Sequence, residues 1–212
     1  SVVIGLGAVL FAATLGVVLG LVAGFFGGIV DGIVMRIADV LVSFPTILVA
    51  LLISGIARAQ LSADTMLTWA PLVLIFSIAV NEWVQYARTV RASTMVEVAR
   101  DYVRAAKVIG LPPGRIMGRH ILPNVMSSVM VIATINLAGA ILTEATLSFL
   151  GAGMPPTYPS LGTLIRIGNQ FLFSGLWWIA VMPAAVLVIL VLAVNVIGDY
   201  LRDRFNPKLM AR

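Results

Sequence analysis

Five apolar stretches, each long enough to cross a bilayer, dominate this sequence of 212 residues and restrict the folds open to it. A transmembrane helix needs about 20 apolar residues to cross roughly 30 Å of hydrocarbon. Within lipid every backbone polar group must be satisfied inside the protein, and the alternating ten-residue segments of a membrane β-barrel are not seen in the sequence. We therefore predict an all-α, polytopic membrane helix bundle with five spans. They are Val2 to Phe26, Ile33 to Ile56, Met66 to Tyr86, Val125 to Phe149 and Trp177 to Ile197.

The composition excludes several classes of protein. Hydrophobic residues make up 60% of the chain and charged residues 11%, whereas soluble domains carry about 25% charge. Neither a water-soluble monomer nor a disordered chain fits these values. The absence of cysteine excludes disulfides, zinc ribbons and cysteine nucleophiles, and the single histidine, His120, excludes a histidine-rich metal site.

Sequence motifs for nucleotide hydrolysis and acyl transfer are also missing. The chain has no G-x-x-x-x-G-K-S/T phosphate loop and no G-x-S-x-G nucleophile elbow. We therefore predict a protein that is not an enzyme and has no cofactor of its own.

The distribution of basic residues predicts the orientation of the chain. Twelve of the 14 Lys and Arg residues lie on one side of the predicted spans, and only Arg58 and Arg166 lie on the other. Basic loops remain in the cytoplasm. This places the loop 88–123 and the tail 198–212 in the cytoplasm, and residues 150–175 in an outer loop. Residue 1 then lies outside, so we expect one more span before it, six in all, within a single transmembrane domain that includes residues 1–212.

Three carboxylates lie in or near the spans, where an unpaired charge is costly. Asp39 follows Arg36 by three residues, which predicts an ion pair between them. Glu82 lies near the cytoplasmic boundary, where its side chain can reach water. Glu144 has no basic neighbour in sequence, so a structural hydrogen bond and a role in a pathway or gate both remain open. Asn136, on the same predicted span, is a second candidate for the pathway.

Glycine and proline mark two special places in the spans. A glycine recurs every fourth residue at Gly16, Gly20, Gly24 and Gly28, which favours close packing between helices over a substrate-lining face. Pro45 lies inside the second predicted span and should kink it or locally open it.

The cytoplasmic loop has its own helical pattern. Apolar residues recur on one face from Val96 to Ile109, and Gly110 is a typical helix terminator. A second short helix is predicted from Pro113 to Ile121. Such a structure could lie on lipid, act as an internal strut or dock into a partner. The small side chains of Ala105 and Ala106 favour docking without excluding the other two uses.

The same loop resembles the EAA loop of ABC importer permeases, whose pattern is E-A-A-x3-G-x9-I-x-L-P. The matching residues are Ala105, Ala106, Gly110, Leu122 and Pro123, whereas Arg104 replaces the Glu and His120 the first Ile. Both replacements are common in the dipeptide/oligopeptide/nickel permease family, whose second, C-type subunit this chain resembles over nearly its whole length. Further similarity lies in Met35-Arg36, Tyr86-Ala87-Arg88, Leu147-Ser148-Phe149-Leu150-Gly151 and Pro207-Lys208-Leu209.

The resemblance implies a permease subunit of a binding-protein-dependent importer that forms half of a translocation path for peptides. Nickel chelates, opines or sugars are alternative substrates. The loop would hold a coupling helix that contacts an ATPase subunit through eight residues. These are Tyr102, Arg104, Ala105, Ala106, Lys107, Gly110, Leu111 and Pro112.

The implied partners are a second homologous permease, two ATPase subunits that bind ATP and Mg, an extracytoplasmic substrate-binding protein and the lipid bilayer. No nucleic acid is expected, despite the net charge of +5. The implied location is the cytoplasmic (inner) membrane of a bacterium or archaeon. A different class, a stand-alone channel or proton-coupled carrier, would leave the arginine-rich loop without a purpose.

Overall fold

The computed structural model describes residues 1–155 and 157–205, and all regular elements in that part of the chain are helical. The cytoplasmic tail predicted at 198–212, including Pro207-Lys208-Leu209, therefore lies partly outside the described residues. The α-helices are α1 (Val2–Phe26), α2 (Gly28–Val42), α3 (Thr46–Gln60), α4 (Ala63–Val98), α5 (Asp101–Val108), α6 (Pro113–Ile116), α7 (Leu122–Phe149), α8 (Leu161–Asn169) and α9 (Trp178–Phe205).

Four helical segments of the described chain are long and apolar enough to cross a membrane. They are Val2–Phe26, Asp64–Val98, Pro113–Phe149 and Trp178–Leu201. The count reaches the predicted five when α2 and α3 are taken together as one broken span.

The segment predicted as the second span, Ile33 to Ile56, is opened at Pro45 into two helices, in agreement with the predicted local opening. Helices α2 and α3 meet at an angle of 89°, with the break at residues 43–45. Proline disfavours the helical conformation of the residue before it, Phe44, and lacks the N–H that would continue the helix. Pro45 thus stands just before the first turn of α3. The Ser43 hydroxyl donates to the Asp39 carbonyl oxygen at 2.8 Å and closes the end of α2.

Helix α1 packs against α4 through the glycine face. Cβ atoms built on Gly16, Gly20 and Gly24 would lie 2.5–2.7 Å from backbone carbonyl oxygens of α4. The packing interpretation of the repeat is therefore confirmed for three glycines. The fourth, Gly28, has open space around it and a φ of +54°, and it begins α2 after a sharp turn instead of continuing the α1 face.

Helix α4 is longer than the span predicted from Met66 to Tyr86. Its 36 residues measure about 54 Å, well beyond the thickness of the hydrocarbon. The first part of the predicted cytoplasmic loop is therefore the continuation of this helix. The amphipathic helix predicted from Val96 is displaced, because α4 ends at Val98 and α5 begins only at Asp101.

The predicted helix from Pro113 to Ile121 is continuous with the fourth span. A π-helical turn over Met117–Ile121 connects α6 to α7, and the Leu122 N–H donates to the Met117 carbonyl oxygen. Pro123 cannot donate a hydrogen bond to the preceding turn, and the wider π turn accommodates it. Pro123 is therefore not a boundary, and the fourth span begins well before the predicted Val125.

The segment 150–175 contains a short helix capped by Ser160. The Ser160 hydroxyl accepts a hydrogen bond from the Thr163 N–H at 3.1 Å, and α8 ends at Asn169. Cβ atoms on Gly162 and Gly168 would lie within 2.6 Å of backbone atoms of α7 and α9. Helix α8 is thus wedged between these two helices and is not a loose surface loop.

Candidate functional site

The end of the bundle that carries the basic loop holds the short helix α5 in a defined position. Gly110 adopts a φ of +81° after the helix. Its N–H donates to the Lys107 carbonyl oxygen at 3.0 Å, and the Leu111 N–H donates to the Ala106 carbonyl oxygen at 3.1 Å. This is a Schellman motif, in which glycine at the left-handed position ends the helix, as the sequence predicted.

Helix α5 has an inner and an outer face. Val103 and Ala106 are buried in the hydrophobic core together with Ile116 and Ile121. The outer face bears Arg104 and Ala105, followed by Val108 at 87% and Ile109 at 77% exposure. Of the predicted contact residues, Ala106 faces the core. Ile109, predicted on the inner face, lies on the outer one.

A polar network fastens α5 to its neighbours. The Tyr102 hydroxyl donates to the Glu97 carboxylate at the end of α4. The Asn124 side-chain amide donates to Tyr102 Oη at 3.0 Å and to the His120 carbonyl oxygen at 2.8 Å. Partial desolvation and the bond to Glu97 raise the pKa of the Tyr102 phenol, so it is neutral at pH 7 and can donate. Sequence reasoning missed Glu97 because it precedes the helix to which Tyr102 belongs.

A cation–π contact adds a further attachment. The Lys107 ammonium lies 5.0 Å from the ring centroid of Phe25, near the end of α1. Lys107, predicted to contact a partner, therefore also holds α5 against α1.

Two ion pairs connect α2 to the C-terminal part of α4. Arg91 donates through Nε and Nη2 to the two carboxylate oxygens of Asp31. Arg88 donates to Asp39 at 2.7 Å. The predicted pair between Asp39 and Arg36 is wrong, because the packing of α2 on α4 brings Asp39 to a basic residue 49 positions away.

A cavity of about 620 Å³ opens between the α2–α3 bend, α4 and α7. Its wall includes Asn136, which the sequence proposed for the pathway, and Glu82, which it did not. The polar lining residues are Thr46, Asn81, Glu82, Gln85, Arg88, Asn136 and Thr143. Such a volume is in the range of small-molecule binding sites.

Some polar atoms around this cavity lack a partner. Asn81 Oδ1 and Glu82 Oε2 are buried without a hydrogen bond. The Asn136 amide lies beside the Tyr86 hydroxyl. The sequence predicted that Glu82 reaches water at the membrane boundary. This prediction is wrong for Glu82 Oε2, which is buried. A carboxylate in such a position costs roughly 2.5–3.5 kcal/mol on insertion scales. Buried polar atoms without partners are uncommon in proteins and call for a function.

Glu144 is placed differently from Asn136. It is fully buried, and its Oε1 accepts a hydrogen bond from the Ser148 hydroxyl at 2.6 Å. The Ser1 nitrogen lies 3.8 Å from Oε2. The same Ser148 oxygen accepts from the Met154 N–H at 3.1 Å, so Glu144 supports the start of the outer segment. This position agrees with the hydrogen-bonding alternative, and a role in a gate stays a prediction.

Comparisons with known proteins agree with this architecture. Residues 16–211 match the family described as binding-protein-dependent transport system inner membrane component. The di/tripeptide transport system permease protein DppC of Pseudomonas aeruginosa is 34% identical over 209 residues, 99% of this chain and 65% of the relative. The dipeptide transport system permease protein DppC of Escherichia coli is 38% identical over 177 residues, 83% of this chain and 55% of the relative.

The chain thus spans from just over half to just under two-thirds of the length of these relatives. Among solved structures, an inward-facing form of the MetNI methionine ABC transporter aligns with a TM-score of 0.65 at 23% identity. The alignment covers 97% of this chain and 94% of that one, and it supports the fold alone. Both the sequence match and the helical architecture lead to one assignment: the chain belongs to the family of binding-protein-dependent transport system inner membrane components, the permeases of ABC importers.

Proposed function

We propose that this chain is a permease subunit of an ABC importer for peptides, in which it forms half of the translocation path and is driven by separate ATPase subunits. The observation that carries the proposal is the two-faced helix α5, which is anchored on its inner face and exposed on its outer face. The peptide substrate is supported by the names of the relatives from Pseudomonas aeruginosa and Escherichia coli. Nickel chelates, opines or sugars remain alternative substrates of the same type of importer.

The outer face of α5 suits docking into a protein groove. Val108 and Ile109 are large apolar residues exposed at the tip of an otherwise charged surface. Apolar side chains in this setting mark interaction sites, and a short helix seated in a groove is a common recognition mode. We place Arg104, Ala105, Lys107, Gly110, Leu111, Pro112 and Tyr102 around this tip, as the sequence predicted, and add Val108 and Ile109.

The inner face of α5 suits the transmission of a movement. Tyr102 joins the helix to Glu97 of α4 and, through Asn124, to α7. Helices α4 and α7 also supply most of the cavity wall. A displacement of α5 by a partner therefore acts on the two helices that shape the cavity.

The remaining subunits follow from this role. A second homologous permease completes the path, two ATPase subunits bind ATP and Mg, and an extracytoplasmic binding protein delivers the substrate to the outer segment that includes α8. The C-terminus lies in the cytoplasm of a bacterium or archaeon. Asn136 belongs to the path, and Glu144 is the candidate for an outer gate.

Reconstitution tests the proposal. The full-length chain is tagged and purified in mild detergent with the subunits that accompany it, and the complex is placed in proteoliposomes with the binding protein. We expect uptake of labelled L-alanyl-L-alanine that requires both ATP and the binding protein. Uptake by this chain without any ATPase subunit would contradict the proposal and favour a stand-alone channel or carrier.

The double variant Val108→Asp/Ile109→Asp tests the docking surface. It should fold but no longer retain ATPase subunits during purification, because two charges replace the apolar tip. Leu150→Asp/Phe173→Asp, at exposed apolar positions in the segment 150–175 outside the spans, provides the matched control. Full retention of ATPase subunits by the α5 variant would contradict the docking role.

A further inference from the structure

We propose that Glu82 binds the N-terminal ammonium group of a short peptide within the cavity between the α2–α3 bend, α4 and α7. This inference rests on the proposed function and specifies where the permease contacts its substrate. Among the residues that line the cavity, only Glu82 and Arg88 have ionisable side chains.

The two charged residues differ in their pairing. Arg88 is already neutralised by Asp39 at 2.7 Å. Glu82 forms no ion pair within the described part of the chain, and its Oε2 is buried without a hydrogen bond. A carboxylate held in a membrane cavity without a basic partner is complementary to a cation that arrives from outside. An ammonium group supplies both the charge and the hydrogen-bond donors.

The neighbouring amides match a peptide backbone. The Asn81 side-chain nitrogen donates to the Phe44 carbonyl oxygen at 3.5 Å and to Thr46 Oγ1 at 3.4 Å, which leaves Oδ1 as a buried acceptor without a partner. The Asn136 amide lies on the same cavity wall, beside the Tyr86 hydroxyl. A free acceptor at Asn81 and a second side-chain amide at Asn136 match the N–H and C=O groups of a peptide.

The size and chemistry of the cavity restrict the ligand class. A volume of about 620 Å³ accommodates a peptide of two or three residues. Sugars have no cation to neutralise Glu82. Among the described residues, no group of His, Asp or Glu side chains could ligate a metal directly. These features favour a short peptide with a free N-terminus.

Direct binding to the assembled complex tests the inference. The importer is placed in lipid nanodiscs without nucleotide and without the binding protein, so that no other peptide receptor contributes. The probes are radiolabelled L-alanyl-L-alanine, its N-acetyl derivative and its C-terminal amide. The variants are Glu82→Gln and Glu82→Ala, and Asp64→Asn at the exposed start of the same helix is the matched control. Recovery of all subunits verifies that each variant is folded.

We expect the wild type and Asp64→Asn to bind the free dipeptide and its C-terminal amide about tenfold or more tightly than the N-acetyl form. Glu82→Gln should weaken binding of the free dipeptide by a similar factor. The free dipeptide and its N-acetyl form should then bind with similar affinity. A Gln variant that keeps the preference for the free N-terminus would overturn the inference, and so would a wild-type complex that binds none of the probes.

Uptake in proteoliposomes separates this inference from the proposed function. Wild-type vesicles that transport no peptide contradict both. Wild-type vesicles that transport the dipeptide, together with a Glu82→Gln complex of unchanged preference, contradict only the role of Glu82.

Discussion

On the side of α4 that faces α1, glycines bring the two backbones into contact, whereas on the side that faces α7 and the α2–α3 bend, the same helix borders a cavity. The first side has no room for a single Cβ at Gly16, Gly20 or Gly24. The second side contains unpartnered polar atoms from Asn81 and Glu82. Close packing transmits movement without loss, and a polar cavity allows a ligand to enter. Because α1 and α4 are closely packed, we expect them to move as one unit, whereas the cavity side has room to change shape.

The largest expected effect on stability comes from a substitution in the packed interface between α1 and α4. Gly20→Leu should destabilise the protein by about 3 kcal/mol or more, because a Cβ there already lies 2.6 Å from the Ala87 carbonyl oxygen. Thermal unfolding in detergent and the yield of folded protein measure the effect. Gly32→Ala, in open space on α2, is the control and should change stability by less than about 0.5 kcal/mol. Equal stability of the two variants would show that α1 and α4 are not closely packed.

The two ion pairs between α2 and α4 should differ in how much they contribute to stability. Arg91→Met should cost about 1–2 kcal/mol, because Arg91 makes two hydrogen bonds to a mostly buried Asp31. Arg88→Met should cost less than about 0.5 kcal/mol, because its pair with Asp39 is half-exposed and screened by water. Thermal unfolding of both variants measures the difference, and a larger loss in Arg88→Met would contradict this ranking.

A substitution in the turn after α5 tests whether a displacement of α5 is transmitted to the cavity. Gly110→Val should cost about 1–2 kcal/mol locally, since a side chain is strained at a φ of +81°. We expect the complex to form but to hydrolyse ATP with little peptide uptake. Gly114→Ala, which has open space and no positive φ, is the matched control. Normal uptake and normal substrate-stimulated ATPase activity in Gly110→Val would contradict the proposal that α5 is a coupling helix.

The last variant lies on the cavity side. Asn136→Leu should change stability by less than about 1 kcal/mol, because the loss of the amide beside the Tyr86 hydroxyl is offset by burial of an apolar side chain. Peptide uptake should nevertheless fall several-fold if this amide binds substrate. Thermal unfolding and uptake are measured on the same preparation. A clear loss of stability would mean that Asn136 is bonded within the protein and that the cavity side is packed like the other.

Much of the helical architecture could be predicted because a membrane span is a local property. The limits of α1 and the start of the last span follow from hydropathy within one segment, and Gly110 and Ser160 act on their own turns. The extension of α4 to Val98 was missed because its cytoplasmic part is polar, and the π turn before Pro123 was missed because it depends on the helix continuing through the proline.

The candidate site was predicted only in part. The assignment of the residues on and after α5 to a contact surface stays a prediction, and the division into an inner face with Ala106 and an outer face with Ile109 required the neighbouring helices. Glu82 was explained as a boundary residue, because nothing in the local sequence shows that an 89° bend elsewhere creates a cavity beside it.

The sequence by itself determined the membrane location, the helical class, the family and the position of the basic loop. These properties depend on side chains near one another along the chain, through hydropathy, charge bias and motif spacing. Only the tertiary structure decided that Asp39 pairs with Arg88, that Gly28 leaves the packed face, and that Asn136 and Glu82 share one cavity while Glu144 lies apart from it. These outcomes depend on distances between helices that lie far apart in sequence, and such distances are set when the helices pack together.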